Sequence, residues 1–220
     1  MNVVDGLPEE ANEAIAASGR WLGSVVADPI KGIIADQLNA FRWKRQVRFV
    51  QKAKEFLREQ GLDEPGKNVP LKAAFPIIQA ALMEDDDSLQ DKWARLLASH
   101  MATSSNTSIP QAFTSVLGDL AADDAKLLDM IYKFAPAGER VGMWTLPDRI
   151  ASKDEQLPPE INKAFDADHY PTESILGADL AFRLDNLVRL NLLADDTVGQ
   201  SRIWVRITTF GRRFCAAVAT

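Results

Sequence analysis

Apolar residues recur at helical spacing on both sides of an acidic turn in the middle of the chain, between residues 69 and 102. Before the turn, Leu71, Phe75, Ile78 and Leu82 fall on one face of a helix, because they recur at i, i+4, i+7 and i+11. After the turn, a second stripe is formed by Leu89, Trp93, Leu96, Leu97 and His100. Because each stripe needs an apolar partner, we expect the two helices to pack against each other.

The ends of these two helices carry their own signals. Pro70 suits a first helical turn, where its missing N–H costs nothing. Pro76, inside the apolar run, predicts either a kink near Phe75 or the start of a new helix. Ser88 with Asp91 three residues later resembles a capping box, so the second helix is predicted to begin after Ser88.

The first part of the chain predicts two more helices. Residues 9–27 form one of them, in which Gly19 and Gly23 would let a neighbouring helix approach closely. Beyond Asp28 the next helix has the apolar positions Ile30, Ile33, Ile34 and Leu38. An apolar stretch across this boundary is nearly long enough to span a membrane, but Asp28 and Lys31 near its middle oppose insertion. A helix lying at a membrane interface stays open.

Residues 41–60 predict a basic amphipathic helix, with seven lysines and arginines against two glutamates. Its apolar side consists of Trp43, Val47, Val50, Ala53, Phe56 and Leu57. The candidate contacts to a partner or an anionic surface lie on the other side and are Lys44, Arg45, Arg48 and Lys52. This basic side is either solvated or paired with the acidic turn at 84–87, or it binds anionic lipid headgroups. Gly61 is expected to end the helix as a C-terminal cap.

Two further helices are predicted after the central pair. The first begins with a capping box of Ser108 and Gln111, and its apolar positions are Phe113, Val116, Leu117 and Leu120. The second is capped by Asp123, and its apolar positions are Leu127, Leu128 and Ile131. Five prolines within residues 136–171 then predict a connector with short elements.

The C-terminal part predicts the order helix, hairpin, helix. The first helix places Leu176, Leu180, Leu184 and Leu187 on one face, and two strands follow at Leu192–Leu193 and Arg202–Ile207. Thr208 or Thr209 is expected to cap the last helix. This winged-helix-like arrangement could bind nucleic acid or protein, and its nearly balanced charges favour protein. The candidate C-terminal interface consists of Arg202, Trp204 and Arg206.

The predicted fold class is therefore mainly α, with an N-terminal and central helical bundle followed by a small winged-helix-like α+β domain. The predicted segments are the N-terminal helices with the basic helix at 1–62, the central helical core at 63–135, the connector at 136–171 and the winged-helix-like domain at 172–220.

The amino-acid sequences of three segments resemble those of one protein family. The central segment contributes Glu84, Asp85, Asp86, Leu89, Trp93, Leu96 and Leu97. The run Asp123–Leu128 resembles the family's next helix, and Thr208, Gly211 and Phe214 resemble its C-terminal helix. In order and spacing these residues resemble the Abi-alpha family, bacterial proteins linked to abortive phage infection. The resemblance implies a role in antiphage defence and brings no catalytic motif, so the central signature residues are expected to be structural.

Catalytic and metal chemistry have few candidates in this sequence. The acidic run Glu84–Asp87 could attract Mg²⁺ or Ca²⁺ and makes a metal-dependent nuclease the third hypothesis, but it lacks the alternating ligands and the glycine of a calcium loop. His100 and His169 do not stand at metal-ligand spacing from each other or from Cys215, which is expected to pack on an apolar face. We therefore expect no catalytic residues, no metal, no cofactor and no enzymatic activity.

Composition adds the expected surroundings of the protein. A single cysteine and the lack of a basic-then-apolar leader predict a cytoplasmic protein, which the basic helix could bring to the periphery of the inner membrane. The net charge of −6 argues against a general nucleic-acid binder. The expected partner is an unknown protein or a second copy of the chain, with peripheral membrane contact open and nucleic acid ranked behind them.

Overall fold

The computed structural model describes residues 7–26, 42–63, 65–66, 68–102, 109–134, 141–142, 178–195 and 204–219. In these ranges the chain forms α1 (Glu9–Val25), α2 (Trp43–Glu59), α3 (Leu71–Met83), α4 (Asp87–Met101), α5 (Ala112–Gly118), α6 (Ala122–Phe134), β1 (Val141–Gly142), α7 (Ala178–Arg189), β2 (Leu193–Asp195), β3 (Trp204–Ile207) and α8 (Thr209–Val218). The mainly helical fold class is confirmed. The helix predicted over Ile30–Leu38 and most of the predicted connector lie outside the described residues.

Contacts between residues divide the chain into two compact units. The first comprises residues 1–119 together with 217–220, and the second comprises residues 120–216. The predicted division into four segments stays a prediction.

In the first unit, α2 packs against α1, α3 and α4, and α3 packs against α4. The facing surfaces of α3 and α4 bury Ile78, Trp93 and Leu96, each at most 3% exposed, and the acidic turn Glu84–Asp86 lies between the two helices. The predicted pair of helices joined by an acidic turn is therefore confirmed. Burial of two large aliphatic side chains and a tryptophan contributes several kcal/mol, at about 1.5–3 kcal/mol for each aliphatic one.

The buried stripe of α3 differs from the predicted one. It consists of Ala74, Ile77, Ile78, Ala81 and Leu82. Leu71 and Phe75 are only half-buried, so their assignment to the core was wrong. The small alanines were overlooked because periodicity scores large apolar residues, whereas alanine lets two helices approach closely. In α4, four of the five predicted residues are buried, and His100 is half-buried.

Helix α2 is also turned from its predicted orientation. Phe49 and Gln46 are buried, whereas Trp43 and Val47 are half-buried. A helix that contacts three neighbours buries a wider arc than one apolar stripe, and this arc is centred near Ala53. The predicted cap at Gly61 is confirmed, because Gly61 has φ +75° and a Schellman motif closes the helix.

Two predicted helix starts were wrong by one or two residues. Helix α4 is capped by Asp86, whose carboxylate accepts from the backbone N–H groups of Ser88 at 2.9 Å and Leu89 at 3.0 Å, so Ser88 is not the cap. Helix α6 already begins at Ala122, which places Asp123 inside its first turn. Pro76 starts no new helix, because α3 runs through it from Leu71 to Met83.

The α5 start follows a different pattern from the predicted box. Its preceding residue Gln111 makes no side-chain capping bond, and Ser108 lies outside the described residues. The buried positions predicted for α5 and α6 are confirmed, from Phe113 to Ile131.

In the second unit, three short strands form an antiparallel sheet in the order β1-β3-β2. The predicted hairpin is confirmed by the pairing of Leu193 with Ile207, and Val205 and Ile207 are buried as their alternation predicts. Thr208 caps α8, since its hydroxyl accepts from the N–H of Gly211 at 2.8 Å. A Cβ at Gly211 would lie 2.1 Å from the Leu192 carbonyl oxygen, so only glycine fits this close approach.

Candidate functional site

The basic side of α2 and the acidic turn, which the sequence offered as separate candidates, lie against each other. Arg45 donates to the Asp87 carboxylate and to the backbone carbonyl of Asp85. Arg48 Nη1 lies 2.7 Å from Asp91 Oδ1, and its Nε lies 3.6 Å from Asp87 Oδ1. Of the alternatives predicted for the basic side, the structure therefore shows pairing with the acidic turn at Arg45 and Arg48. We call the set Arg42, Arg45, Arg48, Asp85, Asp87 and Asp91 the acidic-turn junction.

The junction also closes the C-terminal end of α3. The last carbonyls of a helix have no partner within the helix. Here the carbonyl of Leu82 accepts from Arg42 Nη1 at 3.0 Å, and that of Ala81 accepts from Gln90 Nε2 at 2.9 Å. The Arg42 guanidinium, 3.5 Å from Asp85 Oδ1, also suits the partial negative charge at this helix end.

Gln90 links the three helices of the junction and was missed by the sequence reasoning. Its side chain is fully buried, donates to the carbonyl of Arg45 at 3.3 Å as well as to Ala81, and accepts from Arg48 Nη1 at 2.9 Å. The available signal was a polar residue at helical spacing from Trp93 and Ala94, inside the buried arc of α4. A buried amide at such a position needs hydrogen-bond partners, and only neighbouring helices can supply them.

An adjoining side of α2 carries cations in different surroundings. Lys44 Nζ lies 5.6 Å from the ring centroid of Trp43, and Lys54 Nζ lies 5.6 Å from that of Trp21 on α1. Arg58 is exposed on the same side. Among the described residues, none of these three cations has a carboxylate oxygen within 4.0 Å. We call Trp21, Trp43, Lys44, Lys54 and Arg58 the outer face.

Lys52 belongs to neither group. Its ammonium donates to Glu55 Oε2 at 2.8 Å, within its own helix. This hydrogen bond raises the pKa of Lys52 above its ordinary value, against an opposing effect of desolvation. Of the four contact residues predicted on α2, Arg45 and Arg48 thus lie in the junction, Lys52 pairs locally and Lys44 lies on the outer face.

A family model described as abortive infection alpha matches residues 44–218 of the chain. The chain belongs to the abortive infection alpha family. Membership points to an abortive-infection type of phage defence. No curated protein matches the chain. No solved structure matches it either. The matched range contains most of α2 and begins after α1 and Trp43.

The residues that resemble the family's central signature, here called the signature residues, surround the acidic turn. Glu84 Oε1 accepts from the N–H of Asp86 at 2.9 Å, Asp86 caps α4, and Asp85 contacts Arg42. The apolar signature residues Leu89, Trp93, Leu96 and Leu97 are all buried. These contacts are to backbone groups, to arginines and to the core of the first unit.

The acidic run Glu84–Asp87 was also a candidate site for Mg²⁺ or Ca²⁺. Within the ranges that the structure describes, no group of three His, Cys, Asp or Glu residues could hold a metal ion. Cys215 is buried, as predicted for a packing residue, and His169 lies outside the described residues.

The second unit of this protein has its own charged cluster, between α6 and α7. Arg183 lies 2.9 Å from Asp179, 3.2 Å from Asp123 and 3.7 Å from Asp124. Asp124 is buried and accepts from Asn186 Nδ2 at 2.7 Å. The hydrogen bond from Lys126 and the charge of Arg183 lower the pKa of Asp123, and the hydrogen bond to Asp179 raises that of Arg183.

The candidate C-terminal interface is described only in part. Arg206 is exposed on β3, in register with Ala194 of β2, whereas Arg202 and the side chain of Trp204 lie outside the described residues. On α7, Phe182 is 71% exposed. In the part of the chain that can be described, no helix is both long and apolar enough to traverse a lipid bilayer.

Proposed function

We propose that this protein takes part in abortive-infection defence as a binding protein rather than an enzyme. It meets a partner or a membrane surface through the outer face of α1 and α2. Family membership supports the defence role. The structural support is the division of cations on α2.

That division gives the two sides of α2 different capacities for binding. Arg42, Arg45 and Arg48 already contact carboxylates or helix-end carbonyls, so a partner would have to displace those contacts. Lys44 and Lys54 lie over tryptophan rings, which leave the ammonium groups able to meet an anionic surface at the same time.

The test is a phage plating assay in cells with and without the full chain, scored together with leakage of the host membrane. We expect plating to fall on expression and to recover in Lys44→Gln/Lys54→Gln. The matched control is Lys72→Gln/Lys133→Gln, which removes two exposed lysines elsewhere and should protect like the native chain. Equal protection by both double variants would contradict the proposed surface, and equal plating across a broad phage panel would contradict the defence role.

A second candidate function is nucleic-acid binding by the second unit, and one observation favours it. The order α6, β1, α7, β2, β3 with the sheet order β1-β3-β2 resembles that of a winged helix, a fold that often binds DNA. The Arg183 cluster weakens this candidate, because three carboxylates surround Arg183, one of the two cations of α7. DNA binding that weakens with salt and with Arg202→Ala/Arg206→Ala would support it. DNA binding that changes neither with salt nor in the Arg202→Ala/Arg206→Ala variant would contradict this candidate function.

A further inference from the structure

The outer face is a continuous arc on α2. At 100° per residue, Lys44, Gln51, Lys54 and Arg58 fall within about 80° of one another around the helix. The centre of this arc lies opposite Phe49, which is fully buried. The arc therefore points away from the core of the first unit.

Helix α1 extends this arc beyond α2. The contact between Lys54 and Trp21 joins the two helices at one end. A Cβ added at Gly19 would lie 3.7 Å from Gln46 Nε2, so the helices also approach closely there. Arg20 on α1 is also exposed, but it lies about 100° around that helix from Trp21. The outer face therefore takes two tryptophans and three cations from one pair of helices.

Acidic side chains near the arc are engaged elsewhere or lie further along α1. Glu55, at the edge of the arc, accepts from Lys52 at 2.8 Å, and Glu59 accepts from Arg95 at 2.9 Å. The glutamates of α1 end at Glu13, eight residues before Trp21 or about 12 Å along the axis. The outer face consequently carries an excess of positive charge.

Tryptophan and lysine together match one chemical surface especially well. An indole ring has an apolar body and a polar N–H, and it concentrates where hydrocarbon meets headgroups. Lysine and arginine beside it attract anionic headgroups and keep their charge in water while their stems cover apolar surface. An acidic protein would use the cations but would leave this placement of half-buried tryptophans beneath them unexplained.

We infer that the outer face binds the headgroup region of an anionic phospholipid bilayer, with the indoles of Trp21 and Trp43 at the interface. The inference rests on the proposed function and names its partner. Each cation that reaches an anionic surface strengthens binding about five-fold. Loss of two cations should therefore weaken binding about 30-fold.

The experiment is co-sedimentation of the full chain with vesicles of phosphatidylcholine containing phosphatidylglycerol, and with vesicles of phosphatidylcholine alone. We expect binding to the anionic vesicles that weakens with salt, falls about 30-fold in Lys44→Gln/Lys54→Gln and persists in Lys72→Gln/Lys133→Gln. No binding to anionic vesicles, or equal weakening in both double variants, would overturn the lipid assignment.

A second readout locates the contact. Phospholipids brominated on the acyl chain should quench tryptophan fluorescence of the bound chain. Trp21→Phe/Trp43→Phe should lose this quenching, whereas Trp93→Phe should keep it because Trp93 is buried in the core. Quenching that survives loss of both outer tryptophans would overturn the placement.

Vesicle binding and phage plating separate the two proposals. If Lys44→Gln/Lys54→Gln loses protection and no vesicle is bound, the lipid inference falls, the proposed function stands and an acidic protein becomes the partner. If that variant protects fully, the proposed function falls, whatever the vesicles show.

Discussion

Two sides of helix α2 both carry positively charged residues, but the groups that surround these residues differ. On the inner side, arginines contact the acidic turn and the C-terminal carbonyls of α3, next to a buried glutamine. On the outer side, lysines lie over tryptophan rings. The comparison teaches that the cations of one basic amphipathic helix can have different surroundings, because some pair with the acidic turn of their own fold and others lie over tryptophan rings.

The largest expected effect is on the inner apolar surface. Phe49→Ala should lower the free energy of unfolding by about 3–5 kcal/mol, because it leaves a cavity where α2 meets its neighbours. The control is Gln51→Ala on the exposed side, which should change that free energy by less than about 0.5 kcal/mol. Urea denaturation measures both, and similar losses in the two variants would remove the distinction between the sides.

Gln90→Leu should cost about 1–3 kcal/mol of unfolding free energy, because the Ala81 carbonyl at the end of α3 loses its donor without access to water. The exposed Gln79, on α3, provides the matched control Gln79→Leu. Thermal or urea unfolding tests both variants. A neutral Gln90→Leu would show that the amide is dispensable in the junction.

Arg48→Gln should have a smaller effect, about 1 kcal/mol or less, because its partners Asp87 and Asp91 are partly exposed to solvent. The loss should shrink as salt is added, since salt already screens the pair in the native chain. Unfolding is to be measured at low and at high ionic strength. A salt-independent loss would mean that the guanidinium acts through packing rather than charge.

The smallest effect concerns Lys52, which lies on the same side of α2 as Arg45 and Arg48 but pairs with Glu55. Glu55→Gln should lower the pKa of Lys52, because the hydrogen bond that Lys52 donates to Glu55 now keeps this pKa above its usual 10.5. A raised lysine pKa contributes stability that is present below pH 10.5 and is lost as the pH rises through the folded-state value. For this exposed pair the contribution is about 0.2–0.5 kcal/mol.

NMR titration of the Lys52 ammonium measures that shift directly. Glu59→Gln serves as the control, because Glu59 pairs with Arg95 and should leave the pKa of Lys52 unchanged. An unchanged pKa in Glu55→Gln would contradict the local pairing.

Sequence periodicity was sufficient for the central pair of helices and for the hairpin. Leu89, Trp93 and Leu96 recur at one helical spacing, and Val205 and Ile207 alternate, so each pattern has one buried face. It failed at Phe49 and Gln46, because three neighbouring helices together define the buried arc of α2 and no local pattern records them.

The candidate site was predictable only as a set of parts. The sequence contains both the cations of α2 and the acids near residue 86, but which cation meets which carboxylate depends on how the helices cross. Asp86 and Ser88 are both good caps, and the choice between them depends on backbone geometry. Strand β1 has two residues, too few for a pattern, and its pairing with β3 spans more than 60 residues of sequence.

The comparison between the two sides of α2 is tested most directly by one plating assay with two charge-matched variants, expressed at equal folded levels. Arg45→Gln/Arg48→Gln removes two charges from the junction, and Lys44→Gln/Lys54→Gln removes two from the outer face. We predict that the first variant still protects cells from phage and that the second does not. Loss of protection in the first with retention in the second would contradict the account.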